Sequence, residues 1–137
     1  MARDKFHGLV RTLLEADGWT ITDDPYILKF GTRNYEIDMG AERLLAAERG
    51  VEKILVEVKS FLSLSIVYQM HEAVGQYGNY RRLLRLKNDS KTLILALPTD
   101  AFDALFLDEL GQLTIQEEDM KFLVFDPNTK SITQWIK

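Results

Sequence analysis

One short apolar run constrains this chain more than any other feature. In Ile54-Leu55-Val56-Glu57-Val58-Lys59 an aliphatic segment closes on two opposite charges. A strand sends successive side chains to opposite faces, so Ile54, Val56 and Val58 share one face and Leu55, Glu57 and Lys59 the other. Charges late in an apolar strand need a partner or a task, because burying an unpaired carboxylate costs several kcal/mol or forces it to take up a proton. Residues 34–39 read as the preceding strand, which sets Glu36 and Asp38 on one face. Two carboxylates and an ammonium then converge. Such a group suits a divalent-metal site that cuts phosphodiesters, in which oxygen ligands hold Mg²⁺ and the lysine orients or activates water.

Spacing alone selects nothing, because acid-any-lysine occurs three times: Glu57-Val58-Lys59, Asp89-Ser90-Lys91 and Asp119-Met120-Lys121. The last two lie in polar, turn-like stretches. Only Glu57 and Lys59 end an apolar strand and can meet a second carboxylate. Two carboxylates about 4 Å apart repel by roughly 4 kcal/mol at an effective dielectric near 20, a repulsion that a cation relieves. The competing reading is a cross-strand ion pair on a half-exposed sheet face, worth about 1 kcal/mol or less. The strands by themselves leave the two readings balanced.

The next segment shifts that balance. Over residues 64–85, Val67, Met70, Val74, Tyr77 and Leu84 recur at the spacing of a helix face buried against a sheet. Gln69, Glu72 or Ala73, Gln76 and Tyr80 form a neighbouring stripe. Gln76 and Tyr80 stand at i and i+4 and reach the same sheet edge. Taken alone, that pair reads as a solvated stripe with a tyrosine at the edge of the core.

Upstream, residues 3–17 read as a helix with Phe6, Leu9, Val10, Leu13 and Leu14 on its apolar face, stopped by Gly18. Residues 19–22 and 26–30 read as strands around the turn Asp23-Asp24-Pro25. Residues 41–49 suit either a short helix or a hairpin, and the hairpin is preferred because Arg49-Gly50 precedes the 53–59 strand. Downstream, 92–97 is a strongly apolar strand ended by Pro98, and 100–107 is a short helix. Residues 122–125 and 131–135 form a strand pair. The class is α/β, a mixed central sheet flanked by helices in the order α-β-β-β-α-β, with a C-terminal strand pair.

The 137 residues, 46% hydrophobic and 28% charged, suit one compact domain over residues 1–137. Cysteine is absent and histidine is limited to His7 and His71, which excludes disulfides and leaves too few ligands for structural zinc. Any metal should be a hard, oxygen-seeking ion. The polar N-terminus and the absence of an apolar run near 18 residues predict neither signal peptide nor membrane span. A net charge of −4 argues against coating nucleic acid through bulk electrostatics. Arg81, Arg82, Arg85 and Lys87 make one dense basic group. At a helix C-terminus they read as partners of the helix dipole before they read as a phosphate clamp. Asp4, His7 and Arg11, at i, i+3 and i+7, and Glu15 could face the site from the first helix, but each reads first as part of a solvated helix face. His71 reads as an ordinary surface or interface histidine.

Asp38, then Glu57-Val58-Lys59 on the next strand, then Gln76 with Tyr80, resemble the PD-(D/E)XK nuclease superfamily in its Gln-xxx-Tyr branch. Over nearly the whole chain the sequence also resembles the XisH family of cyanobacterial excision controlling factors. The carrying stretches are Met1-Ala2-Arg3-Asp4-Lys5-Phe6-His7, Asp17-Gly18-Trp19-Thr20-Ile21-Thr22, Tyr35-Glu36-Ile37-Asp38, Val56-Glu57-Val58-Lys59-Ser60-Phe61-Leu62 and Gln134-Trp135-Ile136. The resemblance implies a restriction-endonuclease-like core and Mg²⁺ or Mn²⁺ on Asp38 and Glu57. It also implies a catalytic Lys59 and Gln76 with Tyr80 as auxiliaries that steady Lys59 or a phosphate. Ile37 stands where a proline often precedes the first aspartate, which leaves the carboxylate in place. The resemblance further implies a part in programmed DNA excision during heterocyst formation, with DNA, the companion factor XisI and a recombinase complex as partners and no membrane. Together with the polar N-terminus and the missing membrane span, the resemblance implies a cytoplasmic protein of a bacterium. Homo-oligomerisation is compatible with the sequence. Two functions of different class follow: a metal-dependent DNA endonuclease, or a non-cleaving factor that uses the same fold to dock a companion protein or recombinase.

Overall fold

The computed structural model describes residues 3–46, 50–62 and 65–137. Its elements are α1 (His7–Ala16), β1 (Thr20–Asp23), β2 (Tyr26–Phe30), β3 (Arg33–Ile37), β4 (Met39–Ala46), β5 (Gly50–Val58), α2 (Ile66–Leu86), β6 (Thr92–Pro98), α3 (Thr99–Phe106), α4 (Glu109–Glu118), β7 (Phe122–Asp126) and β8 (Ser131–Ile136). A six-stranded sheet runs in the order β1-β4-β5-β6-β7-β8, and β2 with β3 forms a separate two-stranded sheet. β5, β6 and β7 are parallel neighbours, and the remaining pairs are antiparallel. This is the expected α/β class, a central mixed sheet flanked by helices.

Strand alternation decides which core each residue joins. Ile54, Val56 and Val58 of β5 face Val10, Leu13 and Leu14 of α1, in a cluster completed by Trp19, Ile94, Ala96, Leu123 and Phe125. Leu55 faces the opposite side, where Met70, Ala73, Tyr77 and Leu84 of α2, Leu93 and Leu95 of β6, and Leu28 and Ile37 of the β2–β3 hairpin pack together. Each large aliphatic side chain so buried stabilises the fold by about 1.5–3 kcal/mol. α1 ends at Asp17, and Gly18 follows with φ +94°, the left-handed conformation that glycine adopts without penalty.

Several expectations need correction. Residues 34–39 are not one strand: β3 ends at Ile37, the chain bends at Asp38, and β4 begins at Met39 in a different sheet. Glu36 and Asp38 therefore do not share a strand face. Val67, expected on the buried side of α2, is 56% exposed, while Ala73 and Tyr80 are buried in its stead. α1 begins at His7 rather than near residue 3. α4 was not foreseen. The 41–49 segment resolves toward the hairpin, with β4 antiparallel to β5 and Leu44 opposite Val51. Its tip at residues 47–49, and Leu64 at the expected start of α2, lie outside the described residues.

Candidate active site

The bend at Asp38 builds the site. Because Met39 pairs with Val56, the residue before it comes level with the carboxyl end of β5. There each acid accepts a hydrogen bond from the other strand's backbone. The Val58 amide donates to Asp38 Oδ2 at 2.6 Å, and the Asp38 amide donates to Glu57 Oε1 at 3.2 Å. Lys59 Nζ stands 3.6 Å from Glu57 Oε2. Asp38, Glu57 and Lys59 are thus brought together as the sequence predicted, through a bend and not through a shared strand face. Open α/β sheets commonly bind ligands outside the carboxyl ends of their strands, and this group lies there.

Glu57 is only 7% exposed. Burial, and then the neighbouring Asp38 carboxylate, push its pKa up to about 8 against the opposing pull of Lys59. Both causes favour the protonated form of Glu57 over its carboxylate. Among the described residues no three His, Asp or Glu side chains form a ready-made metal cage. The candidate donors are the two carboxylates and His7. The imidazole is 4% exposed, its Nδ1 has no hydrogen-bond partner, and it lies 4.0 Å from Asp38 Oδ1. Two donors about 2.1 Å from one octahedral ion stand about 3.0 Å apart at adjacent positions and about 4.2 Å apart at opposite ones, so at 4.0 Å this nitrogen and Asp38 Oδ1 do not form an adjacent pair. Asp38 and Glu57 offer the oxygen donors that a hard divalent cation takes.

Gln76 Nε2 donates to the Tyr80 hydroxyl at 3.0 Å, and that hydroxyl donates to the Glu36 carbonyl at 3.2 Å. Burial, with Glu57 nearby, raises the Tyr80 hydroxyl to about 12, so it remains a neutral donor. This pair braces α2 against β3. A cavity of about 670 Å³ joins them to the charged group and is lined by His7, Asp24, Glu36, Asp38, Glu57, Lys59, Gln76 and Tyr80 among others.

The first helix contributes more than its sequence promised. His7 Nε2 bonds Asp24 Oδ1 at 2.8 Å, Arg11 donates to Asp24 Oδ2 at 2.7 Å, and Arg3 lies 3.4 Å from Oδ1. Burial pushes Asp24 up, but its bonds to His7 and Arg11 outweigh that and hold its carboxyl below the usual range. Asp4 accepts from the amides of Phe6 and Ser60, at 2.9 and 2.8 Å, and so fastens the exit of β5 to the start of α1. The expectation of a solvated face fails for Asp4, His7 and Arg11, and holds for Glu15, which meets only Arg11. His7 had a signal in the sequence: it stands three and seven residues before Val10 and Leu14, on the apolar stripe, where a polar side chain must find partners. Asp24 had none beyond its turn.

Of the basic group, Arg85 lies in the last turn of α2, whereas the side-chain bonds of the other three go to partners other than that helix's final carbonyls. Arg81 donates to the Glu118 carbonyl, Arg82 to Asn79, and Lys87 to the Lys29 carbonyl. His71 is exposed.

A mixed sheet between helices, with two carboxylates, a lysine and a buried imidazole at the carboxyl end of a central strand, defines an α/β protein with a charged centre. The profile of the XisH protein family matches residues 1–133, and the chain belongs to the XisH family. A crystal structure of an XisH family protein from Nostoc punctiforme is 39% identical, with a TM-score of 0.85, over 98% of this chain and all of that one. A crystal structure of an fdxN element excision controlling factor protein from Anabaena variabilis is 40% identical, with the same TM-score and coverage. A search of curated proteins finds no match.

Proposed function

We propose that this chain is a metal-dependent DNA endonuclease-like factor that controls excision of a DNA element. The observation that carries the reading is the convergence of Asp38, which accepts from the Val58 amide, with Glu57, which accepts from the Asp38 amide, and with Lys59 at 3.6 Å from Glu57. Two acids forced together, one of them pushed toward its protonated form, are poorly placed for stability alone and well placed to hold Mg²⁺ or Mn²⁺. Asp38 and Glu57 would be the ligands. A bound ion of this kind polarises phosphoryl oxygens and lowers the pKa of water. Lys59, with three donors and no acceptor, orients water or stabilises charge on the phosphoryl group. Gln76 and Tyr80 hold α2 against the hairpin strand that ends just before Asp38. Excision control comes to this chain from the Anabaena relative of that description. DNA, XisI and a recombinase complex are the partners this reading supplies.

A specific observation favours the second reading, a non-cleaving factor that docks a companion or recombinase: the net charge is −4, and three of the four clustered cations are bonded within the protein. One experiment separates them. The purified protein, alone and with its companion factor, is incubated with branched, nicked, single-stranded and duplex DNA in Mg²⁺ or Mn²⁺. Metal-dependent scission supports the enzyme; intact DNA under every condition moves the reading to the docking factor.

A further inference from the structure

The two helices after β6 concentrate charge of one sign. Residues 98–120 hold seven of the chain's 21 acids and none of its 17 Lys and Arg, so the rest of the chain, with 14 acids against 17 cations, is net positive. α3 buries Ala101, Phe102, Leu105 and Phe106 in the core, and the first turn of α4 is seated on its end. There the Asp108 carboxylate accepts from the Gly111 amide at 2.8 Å and Gln112 Nε2 donates to the Phe106 carbonyl at 2.6 Å. Gly111 packs so closely that a Cβ would stand 2.4 Å from Phe106 Cα. The outward face of α4 is thereby fixed, and it breaks two local rules. Leu110 and Leu113, neighbours at i and i+3, are 55% and 52% exposed, with Leu107 at 56% before them. Glu117 lies in the last turn, where a negative charge opposes the helix dipole and no basic residue offsets it. Asp100, Asp103, Glu109 and Glu117 are exposed and have no ion-pair partner among the described residues.

We infer that the outer face of α3 and α4 docks a cationic amphipathic helix of a partner protein. The leucines seat apolar side chains, and the unpaired acids around them meet Lys or Arg, the apolar centre and polar rim of a protein interface. Charge excludes the other occupants. DNA and anionic lipid bring negative charge to a face that carries no cation. Two copies of this face would set acids against acids, and three of the four clustered cations that a second copy could offer are bonded within the protein. A basic partner also suits an acidic chain in a DNA process, because proteins that neutralise phosphates do so with Lys and Arg. The inference goes beyond the nuclease reading and does not depend on cleavage.

The test is fluorescence anisotropy of the full chain with a labelled peptide of leucine and lysine, about 18 residues long so that it forms a helix, whose leucines recur at helical spacing. A scrambled peptide of the same composition is run beside it. Expected are tighter binding of the patterned peptide and a weakening of about 10-fold or more in a Leu110→Ser, Leu113→Ser variant. An Asp103→Asn, Glu117→Gln variant should bind about 3- to 10-fold more weakly and with a shallower salt dependence. Leu44→Ser, at a leucine 77% exposed on β4, should change nothing. Melting curves check that each variant folds, and the leucine and acid pairs are read separately. No binding, equal binding of the scrambled peptide, an affinity indifferent to either pair, or an equal loss in Leu44→Ser would overturn the inference. Sedimentation of the chain alone adds one more outcome: a dimer that Leu110→Ser, Leu113→Ser dissociates would give the face to a second copy and overturn it too. DNA cleavage without peptide binding would sink this inference and leave the nuclease reading standing. Patterned binding that depends on both pairs, with no cleavage in metal, would do the reverse.

Discussion

Glu57-Val58-Lys59 and Asp89-Ser90-Lys91 share one spacing and part company in every other respect. In both, the lysine meets its own acid, at 3.6 Å from Glu57 and at 3.2 Å from Asp89. In both, the acid also contacts the segment that carries the hairpin. Asp89 is surrounded by donors: the Tyr26 hydroxyl at 2.7 Å, the Lys91 amide at 3.1 Å and the Lys91 ammonium. Burial pushes Asp89 up, but those hydrogen bonds outweigh it and lower its pKa. Glu57 instead faces a second carboxylate, and burial and repulsion together drive its pKa the other way. Asp89 is a satisfied clamp that ties β2 to the turn after α2. Glu57 accepts from the Asp38 amide and lies 3.6 Å from Lys59, yet keeps a second carboxylate as its neighbour. The motif fixes only the ion pair; the third group decides the role.

Mutating the two lysines in parallel should give the largest contrast. Lys59→Ala should lower any metal-dependent DNA cleavage by about 10²- to 10³-fold, the usual cost of removing one preorganised electrostatic group, while the protein stays folded. Lys91→Ala should leave single-turnover cleavage unchanged. An equal loss in both would erase the distinction.

Metal stabilisation should separate the acids next. Mn²⁺ at about 100 times its dissociation constant raises stability by about 2.7 kcal/mol when only the folded state binds it. That shift in melting temperature should vanish in an Asp38→Asn, Glu57→Gln double mutant and persist in Asp89→Asn. The clamp is expected to matter in a different measurement. Tyr26→Phe removes a hydrogen bond to a charged acceptor and should cost about 1.5–3 kcal/mol in denaturant unfolding without altering the Mn²⁺ shift.

The last contrast concerns pH, with a slope of at most about 1.4 kcal/mol per pH unit for one proton. Glu57 has a folded pKa near 8, above its ordinary 4.5, so the native state binds the extra proton between those values. Metal-free stability should therefore fall as pH rises through that window, and Glu57→Gln should flatten the fall. Asp89 has the opposite sign: its lowered pKa contributes stability present above about 3.8 and lost as pH falls below it. Stability curves against pH for the two variants should bend at opposite ends.

Much of this was legible in the residues. The run ending at Glu57 and Lys59, the apolar strand before Pro98 and the strand pair near the C-terminus carry strong local periodicity, and each forms where the sequence puts it. α4 was hidden because it packs weakly: Leu110 and Leu113 are more than half exposed and only Gly111 is buried, so no apolar stripe announces it. The break at Asp38 was hidden because strand alternation continues across it, while the change of sheet is set by long-range pairing of Met39 with Val56. His7 was misjudged because its partners, Asp24 and Asp38, are distant in sequence. Local pattern found the acids and the lysine; only the fold supplied the histidine.

Anomalous diffraction from crystals of the protein grown with Mn²⁺ tests the central claim most directly. The account predicts a peak roughly 2.1 Å from oxygens of both Asp38 and Glu57, on the side that His7 Nδ1 faces, and its loss in the Asp38→Asn, Glu57→Gln variant. Strong Mn²⁺ peaks elsewhere, with Asp38 still bonded to the Val58 amide and Glu57 to the Asp38 amide and Lys59, would contradict it.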